Sequence, residues 1–201
     1  MRPIFTRATA FAALAALIVG AVPAAANPTI VIDAASGETL AQQEATRPWY
    51  PASLTKLMTV FVALKAVREG RITLDTPMKV SARATSMAPS KMGFRPGTLV
   101  TLDNALKMLM VKSANDIAVT IAEGVSGSVE AFANEMNASA SALGMRESHF
   151  TNPNGLPDAR QVSSARDMAV LGRALYVYFP DQGSLFDIGA LRIGKRILPT
   201  H

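Results

Sequence analysis

Residues 57–67 form a run that is apolar almost all the way round. With Leu54 just ahead of it, Leu57, Met58, Val60, Phe61, Val62, Leu64 and Val67 leave no polar face. A helix without a polar side must be covered on every side, so the rest of the chain has to be built around this segment. A lysine, Lys56, stands in its first turn, and Ser53 precedes that lysine by three residues. Three residues apart on a helix is the same face, one turn along. Pro51 breaks any preceding strand and sets a sharp entry.

This placement has a chemical meaning. A serine hydroxyl attacks poorly until a base takes its proton. Lysine serves as that base only when neutral, and burial lowers its pKa. Ser53 and Lys56 therefore read as a nucleophile and a base at the edge of a core. A pattern as short as Ser-x-x-Lys also arises by chance. On this segment alone a plainer reading stands beside the first, with Ser53 as a helix cap and Lys56 as a solvated first-turn residue.

The chain has 201 residues, and its start reads as an export signal. Arg2 and Arg7 precede an apolar stretch over 8–22, and Ala24, Ala25 and Ala26 follow. A basic start, a short apolar run and small residues at the end predict a cleaved signal peptide over 1–26. The run is short and Ala-rich for an uncleaved span. Residues 27–201 then form one domain with room for a sizeable core. Losing two arginines takes the formal charge from +5 to +3, too mild to argue for nucleic acid. With no cysteine, a disulfide framework, a zinc-thiolate site and a cysteine nucleophile are all excluded. His149 and His201 are isolated and have no partner at metal-ligand spacing.

Along the chain, residues 28–33 and 38–44 read as a β-hairpin around a turn at 34–37. Trp49 and Tyr50 lie in a loop that is expected to pack over the next helix, predicted from 53 to about 69 with Gly70 as its stop. A short strand is expected near 78–80, a loop over 83–97, and a helix over 102–110 capped by Thr101 or Asp103. Residues 111–116, with polar Lys112, Ser113, Asn115 and Asp116, separate it from a helix over 117–123 that Gly124 ends. There Ser113 reads as an N-cap and Asp116 as a first-turn acid. Ser128 opens an amphipathic helix that Gly144 closes. Residues 150–157 form a tight turn. Ser164, at capping-box spacing from Asp167, opens a helix that Phe179 and Pro180 end. One strand is expected within 190–198.

Ser-x-x-Lys on a buried helix together with Ser-x-Asn between later helices is far more specific than either alone. This pairing occurs in penicillin-binding proteins and class A β-lactamases. The sequence resembles the low-molecular-mass D-alanyl-D-alanine carboxypeptidases. The matching text is Pro-Ala-Ser-Leu-Thr-Lys-Leu-Met-Thr at 51–59, Pro-Ser-Lys-Met-Gly-Phe at 89–94, Ser-Ala-Asn-Asp-Ile-Ala at 113–118 and Ser-Val-Glu-Ala-Phe at 128–132. His-Phe-Thr-Asn-Pro-Asn-Gly-Leu-Pro-Asp at 149–158 and Ser-Ser-Ala-Arg-Asp-Met-Ala at 163–169 continue it.

The resemblance implies an α/β (α+β) β-lactamase/transpeptidase-like fold and a serine peptidase of the bacterial periplasm. It implies that Ser53 is acylated at the carbonyl between two D-alanines, with Lys56 as base. Ser113 would relay a proton to the leaving amine. Asn115 would bind the substrate amide and hold Lys56, and the Ser53 N–H would form half of an oxyanion hole. The implied partners are peptidoglycan stem peptides ending in D-Ala-D-Ala and β-lactam antibiotics as covalent inhibitors. No metal or organic cofactor is implied. A cross-link endopeptidase would use the same residues.

One family motif is missing. No Lys-Thr-Gly occurs in the sequence, and the late Gly194-Lys195-Arg196 has the wrong order. The chain is therefore expected to be a C-terminally incomplete form of the 27–201 catalytic domain. A membrane anchor would lie in the lost tail, the Ser53 helix would be partly uncovered, and a catalytically dead wall-binding remnant is the other class to weigh.

Overall fold

The computed structural model describes residues 27–194 and 196–200. The predicted signal peptide at 1–26 lies outside the described residues. Strands β1 (Thr29–Ile32) and β2 (Thr39–Gln43) pair as the expected antiparallel hairpin, with Thr29 opposite Gln43 and Val31 opposite Ala41. Asp33 closes the turn by accepting from the backbone and the hydroxyl of Ser36. A 3-10 turn (Ala52–Leu54) leads into α1 (Thr55–Arg68). β3 (Pro77–Lys79) pairs antiparallel with β4 (Leu99–Thr101), and α2 (Ala82–Thr85) lies between them. α3 (Leu102–Lys112), α4 (Asn115–Ser126), α5 (Val129–Ala142) and α6 (Ala165–Tyr178) follow. A 3-10 segment (Pro180–Phe186) then precedes a hairpin of β5 (Ala190–Ile193) and β6 (Arg196–Pro199).

The mixed helix and strand content agrees with the α/β (α+β) class expected from the sequence. α1 and α4 are its centre, and α1 packs against α3, α4, α5 and α6. Met58, Val60, Ala63 and Ala66 on α1 and Ile117, Ala118, Ile121 and Ala122 on α4 are fully buried. Phe132 and Met136 of α5 and Leu171 of α6 close the same core. Helices, not strands, cover most of α1, and the partly uncovered side expected from the sequence remains at exposed Leu54 and half-buried Leu57. A further exposed apolar group lies at the end of α6 and just after it, where Tyr176, Val177, Tyr178 and Phe186 face solvent, and Leu57 of α1 lines the same apolar cavity as Tyr176, Val177 and Phe186.

Several boundaries also differ from expectation. α4 does not end at Gly124 but runs on to Gly127, whose left-handed backbone caps it. Gly124 serves packing: a Cβ there would overlap the Met78 thioether, which sits on the bare backbone with no exposure to solvent. The loop expected over 83–97 contains α2, because the Ser81 side chain accepts from Ala84 N and nucleates a turn. The 190–198 region holds two strands rather than one, joined at Gly194 with positive φ. Thr101, not Asp103, caps α3.

Trp49 and Tyr50 do not pack over α1. They are exposed, with the Arg47 guanidinium 4.7 Å from the Trp49 ring centroid. The Trp49 backbone instead pairs with Ser163 through both N–H groups, which ties the approach to Ser53 to the start of α6. Asp167 does not reach back to close a capping box. Its carboxylate accepts from Glu147 N and Ser148 Oγ, while Ser164 still caps α6.

Candidate active site

The 3-10 turn and the first turn of α1 place Ser53 and Lys56 side by side. Ser53 is exposed and Lys56 is 3% exposed, so a surface hydroxyl stands in front of a buried amine. Lys56 Nζ lies 3.4 Å from Ser53 Oγ. Burial holds the amine well below the ordinary lysine range, at about 8. At pH 7 such an amine is neutral in roughly a tenth of molecules, against about 0.03% for an unperturbed lysine. The lowering has one cause, removal of the amine from water, and no neighbouring charge contributes to it.

Ser113 joins this pair from another element. It is the residue after α3, in left-handed backbone with φ +50°, and not the N-cap expected from the sequence; Ala114 holds that place. Left-handed backbone in a residue with a side chain is sparsely populated and clusters at functional positions. Ser53, Lys56 and Ser113 line one cavity of about 340 Å³, whose apolar wall includes Leu57, Leu109 and Met110.

Asn115 is placed differently. It is 5% exposed, and its Nδ2 donates to the carbonyls of Ala88 and Pro89, while its own N–H donates to Ser90 O. The amide is engaged with the 88–90 segment and does not hold Lys56. The neighbouring Asp116, 1% exposed, accepts from Met92 N and Gly93 N. Asn115 and Asp116 therefore strap the 88–93 segment to the start of α4. That segment carries the Pro-Ser-Lys-Met-Gly text singled out in the sequence.

What holds Lys56 is the 151–157 turn, to which sequence reasoning gave no role. Lys56 Nζ donates to Asn154 O at 2.6 Å, and Thr59 Oγ1 donates to Pro153 O at 2.6 Å. Gly155, at φ +82°, lies so close to the 3-10 turn that a Cβ would overlap the Ala52 carbonyl. Ala52 itself is held at φ +46°. The signal that marks this turn in the sequence is its dense Asn, Pro and Gly text, which announces a shaped turn but not what the turn touches.

Comparison with known proteins follows the same outline. Residues 15–194 match the peptidase S11 family, described as D-alanyl-D-alanine carboxypeptidase. The chain is 35% identical over 153 residues to the D-alanyl-D-alanine carboxypeptidase DacF of Bacillus subtilis, which covers 76% of this chain and 39% of that protein. It is 35% identical over 167 residues to the Escherichia coli K12 carboxypeptidase DacA, covering 80% and 41%. The crystal structure of penicillin binding protein 5 from Haemophilus influenzae superimposes with a TM-score of 0.83 at 31% identity, over 87% of this chain and 52% of that one. The chain thus spans about two fifths of the length of these curated relatives.

Proposed function

The chain belongs to the peptidase S11 family of D-alanyl-D-alanine carboxypeptidases, and from that membership we propose that it is an exported, periplasmic serine-type D-Ala-D-Ala carboxypeptidase. Its substrate is the peptidoglycan stem peptide ending in D-Ala-D-Ala. Residues 27–201 are its catalytic domain. The observation that carries the reading is the exposed Ser53 hydroxyl 3.4 Å from a buried Lys56 amine whose pKa is lowered to about 8.

In this reading Ser53 Oγ attacks the carbonyl carbon between the two D-alanines as neutral Lys56 takes its proton. The Ser53 backbone N–H faces the developing oxyanion. Ser113, across the same cavity, passes a proton to the amine of the leaving D-alanine, and the C–N bond breaks. Water then hydrolyses the ester on Ser53. Asn115, whose Nδ2 is taken by Ala88 O and Pro89 O, meets the substrate amide N–H with its Oδ1. β-Lactams present a strained amide to the same serine and are covalent inhibitors. The mildly basic chain, +3 after loss of 1–26, suits an anionic wall polymer.

The test is the intact mass of the purified chain after incubation with a labelled penicillin, with Ser53→Ala as control. The expected result is one covalent adduct, absent from the control. A soluble, folded chain that takes no label would move the protein to the class of wall-binding, non-catalytic proteins.

A further inference from the structure

One buried side chain outside the motif residues gathers more hydrogen bonds than any role in local structure requires. Gln161 is 3% exposed. Its Oε1 accepts from Thr151 N at 2.8 Å, Thr151 Oγ1 at 3.1 Å and Asn152 N at 3.0 Å. Its Nε2 donates to Asn152 Oδ1 and to Thr55 Oγ1, both at 3.1 Å. Both donors and both lone-pair directions of the amide are therefore used. Four of these bonds stay within the 151–161 loop. The fifth crosses 106 residues of sequence to the first residue of α1, next to Lys56.

The other end of the same turn completes the geometry. Asn152 Oδ1 also accepts from Gly155 N, and Asn152 Nδ2 donates to Leu156 O, so the residue Gln161 grips in turn shapes the turn's far side. At that far side the Asn154 carbonyl receives Lys56 Nζ. A backbone carbonyl on a loop is positioned only by what positions the loop. The geometry points to Gln161 as a positioning residue: by tying the 151–156 turn to Thr55, it holds the Asn154 carbonyl against Lys56 and closes the amine off from water. This rests on the reading of Lys56 as the base, but not on turnover.

The consequence is a shift in the proton affinity of Lys56. Its amine is lowered by burial, and the turn is part of what buries it. The charged groups on the surrounding elements are engaged elsewhere, apart from Glu123 in the last turn of α4, whose buried Oε2 has no hydrogen-bond partner. Asp116 on α4 is taken by Met92 and Gly93 N–H, and Asp158 pairs with Arg160 at 2.9 Å. Asp167 on α6 is bound by Arg166, and Glu130 and Glu135 on α5 pair with Arg83 and Arg71. On α3 Asp103 pairs with Lys107, and Lys112 lies at the helix end with a partner of its own. Releasing the turn therefore changes solvent access to Lys56 more than it changes neighbouring charge.

The experiment is an NMR pH titration of the lysine side chains in 13C-labelled full chain, with Lys56→Met to assign the resonance. It reads the base directly and works whether or not the protein takes up penicillin. A parent that titrates near 8 but forms no adduct would therefore count against the proposed function and leave this inference standing. In Gln161→Leu the Lys56 midpoint is expected to move up by about one unit or more toward the ordinary value, as water reaches the amine. A merely structural role would lower thermal stability and leave the midpoint of the folded molecules where it is in the parent, and that result overturns the proposal. If Gln161→Leu does not fold, Thr55→Val decides. It keeps the loop's own bonds, cuts only the tie to α1, and must move the midpoint in the same direction.

Discussion

Two irregular segments are held beside the candidate site, and they are held in opposite ways. The 88–93 segment is strapped from a helix start, by the neighbouring side chains Asn115 and Asp116, one of them a buried carboxylate. The 151–157 turn is held from within its own loop by a neutral amide, Gln161, which reaches α1 by one bond. The turn comes near the residue that precedes the strapped segment, since Asn154 Nδ2 lies 3.6 Å from Met87 Sδ, while the Asn154 carbonyl takes Lys56. The lesson lies in the choice of group. A carboxylate that collects backbone N–H groups needs no cation beside it, and its charge stays on the strap side. Next to Lys56 a carboxylate would favour the ammonium and spoil the base, so a neutral amide is the group that fits there.

The largest effect expected is from removing what the turn serves. Lys56→Ala should slow acylation by a penicillin by about 10²–10⁴-fold, the usual contribution of a positioned base, with protection of the Met92 and Gly93 amides against hydrogen exchange left intact. Loss of that protection would mean the two segments are not separate. Next is Gly155→Ala, which drives a Cβ into the Ala52 carbonyl at a positive φ. A loss of more than about 3 kcal/mol in a denaturant melt is expected, because neither backbone can yield.

On the strap side, Asp116→Ala leaves the N–H groups of Met92 and Gly93 without an acceptor and should cost about 2–3 kcal/mol in the same melt. It should leave the lysine titration where it is. A Lys56 midpoint that follows this variant would erase the distinction between the two segments. The pH profile of acylation comes next. Because the base must be neutral, the rate should rise with pH up to about 8 and fall about tenfold for each unit below it. Thr59→Val removes one buried bond to Pro153 O and should be the mildest, about 1 kcal/mol.

The strap side was the more legible of the two in the sequence. Asn115 and Asp116 stand inside a motif, between two helical patterns, where polar residues draw notice. The turn side was not legible, because a glutamine ten residues after Thr151 has no period, no cap position and no family spacing to mark it. Its role exists only when residues 55 and 161 meet, and long-range contact is what a single sequence does not carry. α1 was read well since an all-round apolar run has one solution. The end of α4 is not legible, because Gly124 looks like a stop and is instead a gap for Met78. Cover for α1 is only half legible, since the sequence shows which helix needs burying but not that α3, α4, α5 and α6 supply most of the cover.

The seat of Met78 on Gly124 also has a redox consequence. Peroxide converts a thioether to a sulfoxide, which is polar and bulkier by one oxygen. Met78 has no exposed surface and no spare volume beside its sulfur, so it can be oxidised only after α4 and β3 part. Met87, half-buried beside Asn154, can react from the folded state. The rate at which Met78 gains its oxygen, set against that of Met87, therefore counts how often the centre of this molecule opens.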